Sequence, residues 1–248
     1  KNILPFVFEK QVNNETLGIT AEKTVCDLFG LEYPKNFFKR YSVEMQYQLE
    51  DIISYAFESL PIPIKYCGSL PGERGGNSKS SYDFILTGDK TLSLKTNIGK
   101  KVCPPEVGQP NDKTCYNYFK EFVVEDHISK TNFKQMVYKH IDKLMPIYLS
   151  HMFDSDFLLR IYENNKNEVL LTGYAYGFDI VKKDFGKNFL WQKEKFTFSQ
   201  SSIELWNESN TVYYAGISLG EFQVHNNRNC FKFRFNFDNL LKIIRKNL

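Results

Sequence analysis

Apolar positions recur at helical spacing in two early segments. Over Ala21–Phe29 the residues Glu22, Val25, Cys26 and Phe29 fall at i, i+3, i+4 and i+7, preceded by Gly18 and Thr20 and stopped by Gly30. A second helix is expected after Ser42, a capping residue. Its stripe of Leu49, Ile52, Ile53, Ala56, Phe57 and Leu60 ends before Pro61 and Pro63, and it carries Glu44 and Glu50. Ile64–Cys67 has the composition of a short strand. Residues 68–80 form a Gly/Ser/Pro-rich loop that includes Arg74, Gly75, Gly76 and Asn77.

The pattern then changes period. Tyr82–Leu86 and Thr91–Lys95 alternate as strands do, and Thr87, Gly88, Asp89 and Lys90 between them give a turn signal. A polar loop follows. From Tyr116 to Met152 the spacing returns to helical, with Met136, Val137, Ile141, Leu144 and Tyr148 on one stripe and Pro146 set to kink the last turns. Strand-like runs follow at Phe157–Tyr162, Val169–Val181, Phe189–Phe198, Thr211–Val224 and Cys230–Phe235, before a short C-terminal helix. Phe231, Phe233 and Phe235 alternate with Lys232 and Arg234, which fits a half-buried strand better than a base-stacking platform. The fold class expected is α/β: a central mixed β-sheet flanked by helices, in one domain over residues 1–248.

Composition narrows the chemistry. The chain has 248 residues, enough for a sizeable core, and its net charge of +3 does not by itself signal nucleic-acid binding. Five cysteines, odd in number and without a CxxC pair, argue against a disulfide framework or a zinc site. No apolar run approaches the ~18 residues of a membrane span. A soluble protein of the reducing cytoplasm, with no membrane partner, is the expectation. His127, His140, His151 and His225 show no HExxH pattern, and His140 and His151 read as structural or solvent-facing.

The hairpin holds the most suggestive chemistry. Strand alternation puts Asp83 on the face opposite Phe84 and Leu86, and Ser93 and Lys95 opposite Leu92 and Leu94. An odd connection of Gly88, Asp89 and Lys90 sets Asp83 against Lys95, Phe84 against Leu94 and Leu86 against Leu92. A carboxylate beside an ammonium suits phosphodiester hydrolysis: Asp83 to hold Mg²⁺, Lys95 to hold the attacking water and offset transition-state charge. An ordinary cross-strand ion pair, worth at most ~1 kcal/mol on a surface, would look the same.

The stretch SYDFILTGDKTLSLKTN, Ser81 to Asn97, resembles the hairpin of PD-(D/E)XK nucleases, especially type II restriction endonucleases. Asp83 matches the first acid and Lys95 the lysine; Ser93 occupies the second acidic position, and Tyr82 stands where proline is usual. The segments GITAEKTVCDLFG, KVCPPEVGQP and LGEFQVHNNRNCFKFRF are similar to parts of small restriction endonucleases. The resemblance implies a restriction-endonuclease-like fold, with about 18–152 as catalytic core and about 153–248 as a β-rich DNA-recognition part. It implies Mg²⁺, double-stranded DNA as substrate and a homodimer. It also implies that Ser93 is compensated by a glutamate recruited from elsewhere. Glu22, on an apolar helix face, is the first candidate, although it would also suit a positive helix N-terminus. Glu50 is second and Glu106, 11 residues after Lys95, is third.

Lys100, Lys101, Lys113 and Gln109 are placed to contact DNA near the cut, and His225, Asn226, Asn227 and Arg228 to read base edges; a solvated polar loop is the alternative for each group. Two other functions remain open. One is a DNA repair or junction-resolving nuclease using the same hairpin. The other is a non-catalytic DNA-binding protein with a decayed nuclease fold.

Overall fold

The computed structural model describes residues 4–8, 13–35, 39–68, 80–163, 171–179 and 189–246. The Gly/Ser/Pro-rich loop with Arg74, Gly75, Gly76 and Asn77 lies outside them, as do the ends of the Val169–Val181 run. The chain divides into two compact units, each assembled from separate segments: residues 1–70, 79–100 and 154–183 in the first, and 71–78, 101–153 and 184–248 in the second.

In the first unit, β1 (Leu4–Phe8) precedes helices α1 (Asn14–Phe29) and α2 (Val43–Phe57), and the strands β2 (Pro63–Tyr66), β3 (Phe84–Leu86) and β4 (Lys90–Ile98) follow. With β6 (Phe157–Glu163) and β7 (Leu171–Asp179) they form a mixed six-stranded sheet in the order β1-β7-β6-β4-β3-β2. β4 and β6 are parallel, and the other pairs are antiparallel. Leu92, Leu94, Phe84, Leu159 and Ile161 from the strands pack into one core with Leu17, Ala21, Val25, Leu49, Ile52 and Ile53 from α1 and α2. Gly18 lets α1 approach β4 closely, since a Cβ there would sit 3.1 Å from the Thr96 hydroxyl. α1 starts earlier than its periodicity indicates, because Asn13 caps it by accepting the Thr16 N–H. It stops at Gly30 with φ of 64°, and α2 begins at Ser42, both as expected.

The second unit is built on a separate antiparallel sheet. β5 (Lys101–Val102), α3 (Asp112–Phe119) and α4 (Lys130–Met152) precede β8 (Phe196–Phe198), β9 (Ser209–Tyr214), β10 (Ile217–Val224), β11 (Phe231–Asn236) and α5 (Phe237–Lys246). The strand order is β5-β11-β10-β9-β8. Phe231, Phe233 and Phe235 are buried while Lys232 and Arg234 stay half-exposed. The rings meet α4, Phe133 lying 4.7 Å from Phe231 and Tyr148 4.5 Å from Phe233, centroid to centroid.

Several expectations need correction. The run Thr211–Val224 is two strands, turned at Ala215 and Gly216, both with positive φ. Phe189–Phe198 is strand only over its last three residues. The helical region from Tyr116 to Met152 is interrupted between Phe119 and Lys130. The kink of α4 is at His140, with φ −127° and ψ 22°, not in the last turns. Pro146 cannot donate to the Asp142 carbonyl, and the helix departs from helical geometry at His140, two residues before Asp142 and six before the proline. Two sheets stand where one central sheet was expected.

Candidate active site

The β3–β4 hairpin pairs Phe84 with Leu92, Ile85 with Thr91 and Leu86 with Lys90. The expected register had Phe84 against Leu94, so the pairing is corrected by two residues. The reason lies in the turn, where the left-handed φ values of 75° and 55° fall on Gly88 and Asp89. Glycine and aspartate tolerate that region better than lysine, and Lys90 is therefore released into the strand. A slip of two keeps the faces. Leu92 and Leu94 enter the core under α1 and α2, so Ser93 and Lys95 point to the other side of the sheet.

Asp83 reaches Lys95 through its side chain rather than by strand pairing. Its N–H donates to the Leu92 carbonyl at 2.9 Å, and its carbonyl accepts from the Cys67 N–H at 2.7 Å. Asp83 Oδ2 accepts the Leu94 N–H at 2.6 Å and lies 4.0 Å from Lys95 Nζ. The two side chains are 13% and 22% exposed, so the pair is screened less than a surface ion pair. Ser93 is fully buried, and its Oγ has no hydrogen-bond partner among the described residues. An orphaned buried hydroxyl costs about 1–3 kcal/mol.

Glu22 stands in the third turn of α1, which removes the helix N-terminus as an explanation for it. The carboxylate meets a donor: the Tyr66 hydroxyl hydrogen-bonds to Glu22 Oε2. Burial, then the charge of Glu22 and this hydrogen bond, then the charge of Asp83, push the Tyr66 phenol far above its ordinary value. Tyr66 is thus a permanent donor standing in the field of both acids. Gly68 closes over the pair, since a Cβ there would lie 2.8 Å from Tyr66 Oη and 3.0 Å from Glu22 Oε2.

The remaining candidates are scattered. Glu50 is half-buried on α2 and enters no hydrogen bond or ion pair among the described residues. Glu106 belongs to the second unit, where it accepts from the Tyr118 hydroxyl and has a φ of 60°. Lys100 is exposed and its carbonyl is held by Arg160 Nη2 at 3.1 Å, whereas Lys101 is ion-paired with Glu221. Gln109 is exposed on the loop before α3. His225 Nδ1 lies 3.9 Å from Glu208 Oε2. Asn226, Asn227 and Arg228 are exposed at the β10–β11 turn, where Lys130 Nζ donates to the Asn226 carbonyl at 2.7 Å. His151 is buried against the Tyr118 ring, in keeping with a structural role.

Sequence reasoning missed Tyr66 and Arg160. Arg160 is fully buried on β6, in register with Lys95 and on the same face of the sheet. A lone arginine inside the apolar run Phe157–Ile161 was the available signal.

Hard-oxygen donors are present in the carboxylates of Asp83 and Glu22, whose charges both act on Tyr66, while Ser93 Oγ lies on the sheet face away from α1. Such donors suit Mg²⁺, which commonly takes one or two carboxylates and completes its shell with water and substrate phosphate. Among the described residues no group of three His, Cys, Asp or Glu is close enough to hold a metal by itself.

Over 238 residues, 94% of its length, the chain is 27% identical to the type II restriction enzyme CviAII of Paramecium bursaria Chlorella virus 1. It spans 61% of that relative's length. No family model matches the chain, and no solved structure matches it.

Proposed function

We propose that the chain is a type II restriction endonuclease that hydrolyses phosphodiester bonds at specific sites in duplex DNA with Mg²⁺, built on a restriction-endonuclease-like core. The observation that carries this reading is the position of Asp83 Oδ2 between the Leu94 N–H and the Lys95 ammonium. Similarity to a restriction enzyme over most of the chain supports it.

Asp83 and Glu22 are the residues that would hold the ion. When bound, Mg²⁺ supplies Lewis-acid polarisation of the phosphate and acidifies a coordinated water. Lys95 donates to the attacking water and offsets the negative charge that grows on the phosphoryl oxygens in the phosphorane-like transition state. The Leu94 N–H fixes the Asp83 carboxylate, and the Tyr66 hydroxyl fixes that of Glu22, so neither must reorganise during the reaction. Ser93 contributes no charge, which leaves Glu22 as the second acid. A homodimer matches cutting both strands of a two-fold symmetric site.

The second reading, a DNA-binding protein without catalysis, is favoured by the missing three-ligand group among the described residues and by serine at position 93. Incubation with supercoiled plasmid and Mg²⁺ separates the readings. Discrete fragments are expected; diffuse or structure-dependent nicking would point to a repair nuclease. Binding without cutting would leave the non-catalytic reading.

A further inference from the structure

The sheet of the second unit has two faces of opposite character. One is the phenylalanine core. On the other, antiparallel register sets Lys101 beside Asn236, Arg234 beside Glu221, and Lys232 beside Gln223. Glu221 and Gln223 in turn neighbour Thr211 and Ser209 on β9. No aliphatic residue interrupts this face, and it carries three cations against one carboxylate.

The single carboxylate is the organising group. Glu221 Oε2 takes the Lys101 ammonium, while Oε1 takes Arg234 Nη2 at 2.9 Å and the Gln223 amide N–H. One acid thus ties together donors from β5, β10 and β11. Its side chain is 11% exposed, and those of Lys101 and Arg234 are 35% and 22% exposed. Arg234 Nε is buried with no acceptor among the described residues, and the guanidinium retains further N–H groups. Such a network adds little to stability, because desolvation and lost side-chain freedom offset most of the attraction. Its effect is to hold an arginine and a glutamine in fixed orientations on a positive surface.

We infer that this face reads the base edges of the duplex, with Arg234 toward guanine and Gln223 toward adenine. Lys101 and Lys232 meet phosphates, and Glu221 is the positioning residue. The inference rests on the proposed DNA-cutting activity. The chemistry is that of bidentate major-groove recognition, in which a guanidinium fork meets guanine O6 and N7 and a carboxamide meets adenine N6 and N7. The face is continuous with the β10–β11 turn, since Gln223 and Lys232 form the row nearest to it.

The test begins with wild-type protein on plasmid DNA of known sequence, whose cut ends are sequenced to define the site. Short duplexes carrying that site or a scrambled version are then titrated without Mg²⁺ at several salt concentrations. Arg234→Lys keeps the charge beside Glu221 and loses the fork. It is expected to melt within a few degrees of wild type, to bind scrambled duplex equally well, and to lose roughly tenfold or more of the preference for the mapped site. Gln223→Ala is expected to lose preference in the same way. Lys232→Ala should weaken both duplexes alike and make the salt dependence shallower. An unchanged preference in both Arg234→Lys and Gln223→Ala overturns the inference while leaving the nuclease reading intact. If Arg234→Lys does not fold, Gln223→Ala decides alone. Wild type that neither cuts the plasmid nor binds duplex overturns both.

Discussion

Lys95 and Asp83 illustrate how little separates a catalytic pair from a cross-strand ion pair. If Lys95 positions water, Lys95→Ala will lower single-turnover cleavage by ~10²-fold or more and change DNA affinity only a few-fold; near-wild-type cleavage would remove it from the site. Asp83→Asn and Glu22→Gln should each abolish Mg²⁺-dependent cutting, because an amide loses the charge that binds a hard cation. Glu50→Gln and Glu106→Gln are the contrast, and both should cut. Glu221 gives a pH signature. Burial pushes its carboxyl up, but hydrogen bonds from Lys101 and Arg234 and their charges outweigh burial and hold it below the usual range. A depressed carboxylate contributes stability that is present above its unfolded value, about 4.3, and lost as pH falls through the folded one. Wild type should therefore lose Tm on acidification below about pH 4.5 more steeply than Glu221→Gln, as thermal melts across that range will record.

At the level of elements, the sequence made legible whatever depended on period and punctuation. α2 was readable because Ser42, an apolar stripe and two prolines bracket it, and the alternating phenylalanines of β11 announced a half-buried strand. The faces of the β3–β4 hairpin were readable from alternation, but its register was not, because alternation is blind to a shift of two. The position of positive φ within Thr87–Lys90 decides it. Glu22 stood out as an acid on an apolar face, whereas Tyr66 lay hidden because its hydroxyl partner comes from 44 residues away in the chain. The Ala215–Gly216 turn was missed because alanine gives no sign of a left-handed φ. β10 also bulges between Ser218 and Gly220, and there a Cβ on Gly220 would lie 2.5 Å from the Arg234 carbonyl. That contact is with backbone and cannot swing away. Gly220→Ala should thus lower stability by at least ~1 kcal/mol in urea unfolding, and an unchanged midpoint would show that the bulge relaxes freely.

For the whole molecule, the sequence suggested a division near residue 152, yet each unit draws segments from both sides of that point. A fragment of residues 1–152 would lack β6 and β7, leaving β4 without its parallel neighbour, and would lack β8 to β11, leaving Phe133 without Phe231 and Tyr148 without Phe233. It should show no cooperative melt by circular dichroism; a sharp transition would mean that the first 152 residues contain a self-sufficient core.

The pairing of β1 with β7 also orders events during synthesis. Leu4–Phe8 has its strand partner at Leu171–Asp179, and the lysine-bearing β4 borders a strand that begins at Phe157. At a translation rate of roughly 5–20 residues per second, the first strand waits about 10–30 s for its mate. The Asp83–Lys95 hairpin leaves the ribosome well before the strand that flanks it. A nascent chain therefore displays this hairpin on an unfinished sheet, and cutting competence, on the reading proposed above, arrives only after the later strands have been made.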